Sequence, residues 1–252
     1  MIILAFWGLT RSLRYTHTSI QKNIIQVLKQ RQLPFKIIMH TYTTSTYTNT
    51  RAEEYDIELP SEHHLLQPDE IMIDDQDTIQ EQLQLSRYRT HPDPWNTNYQ
   101  TMDNFILAMY SKLKLTQMIS KYSPSTVIFL RPDVLYLQPL PDITSHPISI
   151  PSFHLHSNFN DRFAICNAQT YRIYGSIFNI LYTYSLHYKL HSETCYAHYL
   201  QNIPIHYIHF VFCRVRATGR IDPKDIPLLK KQIYNNKDNN RYPPTRRFSW
   251  IV

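Results

Sequence analysis

Two short segments place an arginine and an aspartate next to an apolar run that is typical of a buried strand. Arg131 and Asp133 directly follow one such run, and Asp161 and Arg162 directly precede another. Side chains alternate along an extended chain, so Arg131 and Asp133 should project to the same side. Ligands of open α/β sheets bind beyond the carboxyl ends of strands, so this pattern predicts a site for a phosphate or a carboxylate. The alternative is an ion pair that only stabilises the end of the strand.

Carboxylates are scarce in the second half of the chain. Residues 104–221 contain ten basic residues but only four acidic ones, namely Asp133, Asp142, Asp161 and Glu193. Asp142 lies in a proline-rich stretch and is expected to be exposed. Asp161 and Glu193 are therefore the predicted catalytic carboxylates, which would orient or deprotonate a hydroxyl. A paired structural carboxylate is the alternative for each of them.

A predicted strand late in the chain carries two more arginines. If the chain is extended there, Arg214 and Arg216 share one face and could clamp a diphosphate, while His209 lies on the other face. Two exposed arginines are the alternative. The sequence contains no His-Glu-x-x-His motif, so if a metal is bound, Asp133 and His209 are its predicted ligands.

Glycine is rare, at 3 of 252 residues. This scarcity excludes a dinucleotide-binding fingerprint, a P-loop and a G-x-S-x-G nucleophile elbow, all of which need closely spaced glycines. Phosphates, if bound, must be held mostly by side chains and single backbone turns. Gly8 ends the first predicted strand, and a tight turn there would let Thr10 and Arg11 reach a phosphate or a nucleobase.

The net charge of +6 is unevenly distributed. Residues 1–50 contain six basic and no acidic residues, residues 51–103 contain three basic and thirteen acidic residues, and residues 104–252 contain seventeen basic and seven acidic residues. A nucleic-acid-binding protein would not usually carry an acidic block in its middle. A basic cleft for a small polyanion fits this pattern better.

Helical and strand patterns alternate along the chain, which predicts an α/β fold with a mostly parallel central sheet that begins parallel and is flanked by helices. No linker divides the sequence, so we expect one domain over residues 1–235 and a basic, loosely ordered tail over 236–252.

The apolar N-terminal run is too short for a signal sequence or a membrane span. The three cysteines lack metal-binding spacing, so we expect buried free thiols in a cytoplasmic protein. The predicted strands cover residues 2–7, 35–39, 127–130, 148–150, 163–165 and 205–215, with loops and short helices over residues 40–100. A first helix is predicted between a cap at Thr16 or Thr18 and Pro34, and a second, over residues 101–121, has Met102, Phe105, Met109 and Leu113 on one face. Two more helices are predicted over residues 168–184 and from His191-Ser192-Glu193 to Gln201, the last with Ser192 as its cap.

Several short motifs, taken in order over residues 1–220, resemble a family of small GT-A-like glycosyltransferases found in large DNA viruses, algae and other microbes. Each motif is short, but their order together is fairly specific. The motifs are Gly8-Leu9-Thr10-Arg11-Ser12-Leu13, His40-Thr41-Tyr42, Asn49-Thr50-Arg51-Ala52-Glu53, Ile73-Asp74-Asp75-Gln76-Asp77, Asp93-Pro94-Trp95, Asn104, Leu130-Arg131-Pro132-Asp133-Val134, Asn160-Asp161-Arg162-Phe163-Ala164, His191-Ser192-Glu193 and Arg214-Val215-Arg216-Ala217-x-Gly219.

The resemblance implies a single GT-A-like domain that transfers a hexose or pentose from a nucleotide sugar, such as a UDP- or GDP-sugar, to a glycan or another hydroxyl acceptor. It implies a host-cytoplasmic location if the protein is viral. Arg131 stands where such enzymes carry the first Asp of a metal-binding Asp-x-Asp motif, so dependence on Mn²⁺ or Mg²⁺ is left open. The alternatives are a catalytically inactive binding module of the same fold and a nucleic-acid-binding protein. The residues expected to bind the nucleotide sugar are Gly8, Thr10, Arg11, Arg131, Asp133 and Arg162.

Overall fold

The computed structural model describes residues 1–44 and 46–230. The predicted domain boundary at residue 235 and the predicted tail over residues 236–252 lie outside the described residues. None of the helices in the described part of the chain combines the length and the apolar character that a membrane crossing needs.

Strands and helices alternate as the sequence patterns predict. The strands are β1 (Ile2–Trp7), β2 (Phe35–Thr43), β3 (Tyr47–Asn49), β4 (Glu54–Ile57), β5 (Glu70–Asp75), β6 (Thr126–Leu130), β7 (Val134–Tyr136), β8 (Ile148–Pro151), β9 (Ala164–Asn167), β10 (Ile205–Ile208) and β11 (Phe212–Arg214). The helices are α1 (Leu13–Ile20), which continues through a π-helical turn (Gln21–Ile25) into α2 (Gln26–Gln30), then α3 (Gln76–Leu83), α4 (Gln100–Ile119), α5 (Tyr171–Gly175), α6 (Phe178–Ser185) and α7 (Ser192–Tyr199).

Seven strands form the central sheet, in the order β10-β8-β9-β6-β1-β2-β5. All neighbours are parallel except at β9, which runs antiparallel to both β6 and β8. Two small antiparallel pairs, β7 with β11 and β3 with β4, lie outside this sheet. The predicted α/β fold with a mostly parallel sheet flanked by helices is confirmed.

The central position of β1 explains its uninterrupted apolar sequence. Because β1 is covered on both faces, its alternating side chains enter two different cores. Ile3, Ala5 and Trp7 pack with residues of α4 to α7, whereas Ile2, Leu4 and Phe6 pack with residues of α1 and α2. The sheet is therefore sandwiched between two helical layers, and the carboxyl ends of its parallel strands meet at one edge.

Three local predictions differ from the structure. The stretch over residues 40–100 was expected to form loops and short helices, but it also contributes β3, β4 and β5. The side chains of β5 are only half-buried because this strand lies at the sheet edge. The predicted helix over 168–184 is divided into α5 and α6. At the end of α5, Gly175 packs so closely against α4 that a Cβ there would lie 1.9 Å from Thr116 Oγ1. The predicted strand over 205–215 is split into β10 and β11. All three cysteines are buried free thiols, as predicted.

Candidate active site

A cavity of about 540 Å³ opens where β1, β2 and β6 end. Segments far apart in sequence meet there because the parallel strands all deliver their carboxyl ends to this edge. The cavity is lined by every sequence-predicted site residue except Thr10 and His209. The predicted residues on its wall are Gly8, Arg11, Arg131, Asp133, Asp161, Arg162, Glu193, Arg214 and Arg216.

The turn after β1 is held by a buried hydrogen-bond chain. Gly8 has a φ of +90°, a backbone conformation that favours glycine, and its N–H donates to Ser111 Oγ at 2.9 Å. Ser111 Oγ lies 2.8 Å from His40 Nδ1, and His40 Nε2 lies 3.0 Å from the Asp74 carboxylate. Burial lowers the pKa of His40 more than Asp74 raises it, so the imidazole is neutral. A proton on Nε2 then donates to Asp74, and Nδ1 accepts from Ser111.

Thr10 does not reach the cavity, contrary to the prediction that it lines the nucleotide. Its side chain is buried, and its backbone carbonyl accepts a hydrogen bond from the Leu13 N–H at 2.9 Å at the start of α1. Arg11, the next residue, is the one that lines the cavity. The turn therefore presents Gly8 and Arg11 to the cavity, whereas the Thr10 carbonyl closes the turn that leads into α1, whose N-cap is Ser12.

Asp133 is bound by two arginines at the end of β6. Arg131 donates to both carboxylate oxygens, at 2.8 and 2.6 Å, and Arg11 donates to Oδ2 at 2.7 Å. Burial alone would raise the pKa of Asp133, but the two guanidinium groups outweigh burial and hold that pKa well below its usual range. Both arginines also lie over aromatic rings, Arg131 over Trp7 at 5.3 Å and Arg11 over Tyr47 at 5.0 Å.

The structure does not bring together the two predicted metal ligands. Both oxygens of Asp133 are occupied by guanidinium groups, which would repel a divalent cation. His209 lies outside the cavity lining, with Nε2 3.2 Å from the side-chain nitrogen of Gln138. Among residues 1–44 and 46–230, no group of three or more His, Cys, Asp or Glu side chains is placed to hold a metal ion. The residues present therefore do not fit the Mn²⁺ or Mg²⁺ that an Asp-x-Asp motif would hold.

Asp161 and Glu193 meet at the first turn of α7. The Ser192 hydroxyl donates a hydrogen bond to the Asp161 carboxylate. The sequence predicted Ser192 as the cap of this helix, but the N-cap residue is His191, whose side chain makes no capping hydrogen bond. Arg162 bridges the two carboxylates, with nitrogen–oxygen distances of 3.6 Å to Asp161 and 3.3 Å to Glu193. The predicted pair of carboxylates thus shares one guanidinium.

Their surroundings move the pKa values of these two carboxylates in opposite directions. Burial opposes ionisation of Asp161, but Arg162, Arg131, Ser192 and Lys112 together lower its pKa to about 2. Burial and the nearby Asp161 raise the pKa of Glu193, against the smaller opposing effect of Arg162. Asp161 is therefore a fixed negative charge, and Glu193 is the better proton acceptor of the two.

Arg214 and Arg216 line the cavity but are already paired with carboxylates behind them. Arg214 binds Asp225 through its backbone N–H at 2.7 Å and through its guanidinium at 3.2 and 2.6 Å, and it also lies 2.8 Å from Asp222. Arg216 donates to Asp222 at 2.5 Å. These hydrogen bonds fix both guanidinium groups in place. Asp222 and Asp225 also offset part of the positive charge with which Arg214 and Arg216 were predicted to clamp a diphosphate.

Part of the cavity lining consists of residues to which the sequence analysis assigned no role. Trp95 stacks on His191 at 5.4 Å between ring centroids, His156 lies 4.3 Å from His191, and the Arg51 guanidinium lies 5.7 Å from the Trp95 ring. Burial, followed by His156, lowers the pKa of His191 to about 4, so this ring is neutral near pH 7. Arg51, Trp95 and His191 belong to the motifs that carry the family resemblance. The order of those motifs along the chain was the only feature of the sequence that could have indicated a role for these three residues.

The cavity wall carries more positive than negative charge. Arg51 and Lys224 have no carboxylate within 4.0 Å among the described residues. Five residues of this wall also carry a buried polar atom that has no hydrogen-bond partner in the described part of the chain. These atoms are Trp7 Nε1, Asp161 Oδ1, Arg162 Nη1, His191 Nδ1 and Arg216 Nε. Such atoms are costly unless a ligand or water satisfies them. The lining cations are Arg11, Arg51, Arg131, Arg162, Arg214, Arg216 and Lys224, and the lining carboxylates are Asp133, Asp161 and Glu193.

Neither a family model nor a curated protein sequence matches this chain. Solved structures of glycosyltransferases are similar to it over 82% of its length. The glycosyltransferase GlyE of Streptococcus pneumoniae TIGR4 is 8% identical with a TM-score of 0.43, and 45% of the GlyE chain is covered, so the match spans less than half of that protein.

Two further similar structures are also transferases. The galactosyltransferase LgtC, in complex with donor and acceptor sugar analogues, is 12% identical with a TM-score of 0.44, and 73% of its chain is covered. Mouse xyloside xylosyltransferase 1 in its apo form is 10% identical with a TM-score of 0.41, and 84% of its chain is covered.

Proposed function

We propose that this protein transfers a sugar from a nucleotide-sugar donor to a hydroxyl group of a glycan or another acceptor. The proposal rests on one observation. A single cavity combines a cationic wall with two carboxylates, Asp161 and Glu193, whose pKa values are moved in opposite directions. The wall suits a diphosphate, and Asp161 with Glu193 suits a reaction that moves a proton. The order of motifs that resembles small GT-A-like glycosyltransferases supports the same reading.

In the proposed reaction, the bond between the sugar anomeric carbon and the diphosphate oxygen breaks. The electron pair leaves with the diphosphate, and the guanidinium groups of Arg131, Arg11 and Arg216 stabilise the charge that develops there. The acceptor oxygen forms the new bond to the anomeric carbon, and its proton passes to the Glu193 carboxylate. Asp161, held ionised, orients the reacting groups. Configuration at the anomeric carbon of the product distinguishes inversion from retention.

In this proposal, fixed guanidinium groups stabilise the charge on the diphosphate in place of a metal ion. Arg131 and Arg11 are positioned by Asp133, so little reorganisation is needed when a diphosphate binds. A nucleoside fits near the turn after β1, where Gly8, Tyr47 and Asn49 line the cavity. UDP- and GDP-sugars are the donors that we propose.

Thermal stabilisation by nucleotide sugars tests the proposal. The protein is melted with UDP-, GDP-, CMP- and dTDP-sugars, each with EDTA and with Mn²⁺. A ligand at about 100 times its Kd adds about 2.7 kcal/mol, a shift of a few degrees. We expect one nucleotide class to raise the Tm equally under both conditions.

The matched variants are Arg131→Ala in the cavity and Arg31→Ala at the opposite end of the sheet, where Arg31 hydrogen-bonds Leu140 and Pro141 carbonyls. At the same ligand concentration, Arg131→Ala should lose about half or more of the stabilisation, and Arg31→Ala should keep all of it. If no nucleotide sugar stabilises the wild-type protein, the proposed donor is wrong.

A further inference from the structure

A lysine is buried in an aromatic cage behind the wall of the cavity. Lys112, on the interior face of α4, is 0% exposed, and its Nζ lies 4.1 Å from the ring centroid of Trp7 and 4.7 Å from those of Tyr174 and Tyr196. Nζ donates a hydrogen bond to the Tyr196 hydroxyl at 2.6 Å. Lys112 is not part of the cavity lining. No carboxylate among the described residues lies within 4.0 Å of this ammonium.

This position is an unusual place for a charge. A buried ammonium loses its hydration, and three aromatic faces with one hydroxyl recover only part of that loss. An unbranched apolar side chain would fill the same space without this cost. An ammonium here therefore needs an electrostatic counterpart nearby, and Asp161 on the cavity wall is the group that favours its charge most.

Helix α7 connects the cage to the catalytic carboxylates. Ser192 and Tyr196 are four residues apart, so they lie on the same face of α7, one turn from each other. Ser192 hydrogen-bonds Asp161, and Tyr196 hydrogen-bonds Lys112. Phe159, two residues before Asp161, stacks on Tyr196 at 5.0 Å with an interplanar angle of 2°. The segment that carries Asp161 is thus packed directly on the cage.

The electrostatics agree with this geometry. Burial lowers the pKa of Lys112 to about 7, and the opposing effect of Asp161 is the largest that favours its charge. Reciprocally, Lys112 is one of the cations that lower the pKa of Asp161. The other charged or titratable groups that act on Lys112 are Arg131, which disfavours its charge, and Cys166, which favours it.

We propose that Lys112 is a positioning residue whose caged ammonium is coupled through α7 to Asp161, favours the charge of that carboxylate, and adds positive charge behind the anion-binding wall of the cavity. The part that concerns Asp161 rests on the contacts through α7 and Phe159 together with these electrostatics, whereas the part that concerns the anion rests on the proposed function. Lys112 touches neither substrate nor the reacting atoms, so its effect is transmitted through charge and through α7.

A ligand-free measurement tests the coupling to Asp161. Protein labelled with ¹³C-lysine is titrated, and the Lys112 ¹³Cε resonance is identified by its loss in Lys112→Met. The wild-type midpoint should lie near pH 7. In Asp161→Asn the midpoint should fall, because the neutral amide no longer favours the ammonium. An unchanged midpoint in Asp161→Asn would overturn the proposal.

A binding measurement tests the effect on the cavity. Inorganic pyrophosphate is titrated calorimetrically into wild type, Lys112→Met and Lys114→Met, the last being a matched loss of charge on the same helix. At about pH 6, where Lys112 is protonated, wild type should bind up to about tenfold more tightly than Lys112→Met. At about pH 9, where Lys112 is neutral, the two should bind alike. Lys114→Met should match wild type at both pH values.

The outcomes separate the two proposals. A weakening in Lys112→Met that is the same at both pH values would show a packing effect and would overturn the role of the charge. If wild type binds no pyrophosphate, the proposed function fails, and the ¹³C titration alone decides the coupling between Lys112 and Asp161. Unfolding curves of each variant confirm that the protein compared is folded.

Discussion

Arg131 binds the Asp133 carboxylate through two parallel hydrogen bonds, from Nε to Oδ1 at 2.8 Å and from Nη2 to Oδ2 at 2.6 Å. The two residues therefore form a bidentate ion pair at the end of β6 instead of half of a metal site. Arg11 completes the arrangement from the turn after β1, and its guanidinium binds the same carboxylate. Both oxygens of Asp133 accept hydrogen bonds from these two arginines, which leaves a net positive charge on the cavity wall. An anionic ligand in the cavity would meet this charge.

The first prediction concerns this charge. Arg131→Ala removes charge-assisted hydrogen bonds worth about 1.5–3 kcal/mol, so binding of a nucleoside diphosphate should weaken about 10- to 100-fold. Mn²⁺ should not restore it, because Arg11 still occupies Asp133. Isothermal calorimetry with and without Mn²⁺ measures both effects. Recovery of wild-type affinity by Mn²⁺ in this variant would show that Asp133 accepts a metal.

The second prediction separates the two catalytic carboxylates. Glu193→Gln should reduce kcat by about 100-fold or more, because the proton acceptor is lost. The wild-type pH profile should show an acidic limb above the ordinary range of a glutamate, since the pKa of Glu193 is raised, and this limb should be absent in the variant. Asp142→Asn is the control, because that side chain is 93% exposed and lies outside the cavity. Equal turnover in Glu193→Gln and Asp142→Asn would remove Glu193 from the mechanism.

The sequence predicted most of the sheet because its central strands are apolar on both faces. β1 and β6 could be recognised for this reason, and the charged residues that follow them could be placed at one edge. β5 was missed because an edge strand is half-buried and its acidic flanks resemble a loop. The π-helical turn between α1 and α2 leaves no mark in apolar periodicity.

The cavity could be predicted in part. Nine predicted residues do line it, of which eight were chosen for their charge and Gly8 for the turn after the first strand. The pairing of Arg214 and Arg216 with Asp222 and Asp225 was not predicted, because the sequence gives spacing along the chain but not the fold of the following turn. Lys112 was also missed, because its neighbour Leu113 was placed on the buried face of α4, whereas Leu113 is only half-buried.

The third prediction concerns the contact between α5 and α4. A Cβ at position 175 would lie 1.9 Å from Thr116 Oγ1 and 3.1 Å from Phe129 Cζ, so Gly175→Ala should destabilise the fold by about 1–3 kcal/mol. Thr116→Ala removes the closest of these atoms. A double-mutant cycle measured by urea denaturation should show that Gly175→Ala costs less in the Thr116→Ala background. Strict additivity of the two changes would contradict the packing described here.

The fourth prediction is a pH dependence of stability. Burial opposes ionisation of Asp225, but His154 and Arg214 outweigh it and hold the Asp225 pKa below that of an unfolded aspartate. This carboxylate therefore stabilises the fold above about pH 4, and the stabilisation is lost as the pH falls through its folded pKa.

Asp225→Asn should lower the free energy of unfolding by about 2–4 kcal/mol near neutral pH. The difference from wild type should shrink steadily in acid below about pH 4. Urea denaturation at several pH values measures it, with Asp142→Asn as an exposed control. A difference that stays constant into acid would mean that the ion pair with Arg214 does not set the pKa of Asp225.

The most direct measurement is turnover of a nucleotide sugar in EDTA. The donor that stabilises the protein most is incubated with a set of glycan acceptors, and released nucleoside diphosphate and glycosylated product are separated chromatographically. Wild type should release nucleoside diphosphate and form product at the same rate with EDTA as with Mn²⁺. Glu193→Gln should form product at a rate reduced by about 100-fold or more. Turnover that appears only with Mn²⁺, or that Glu193→Gln retains in full, would contradict transfer by this arginine and carboxylate site.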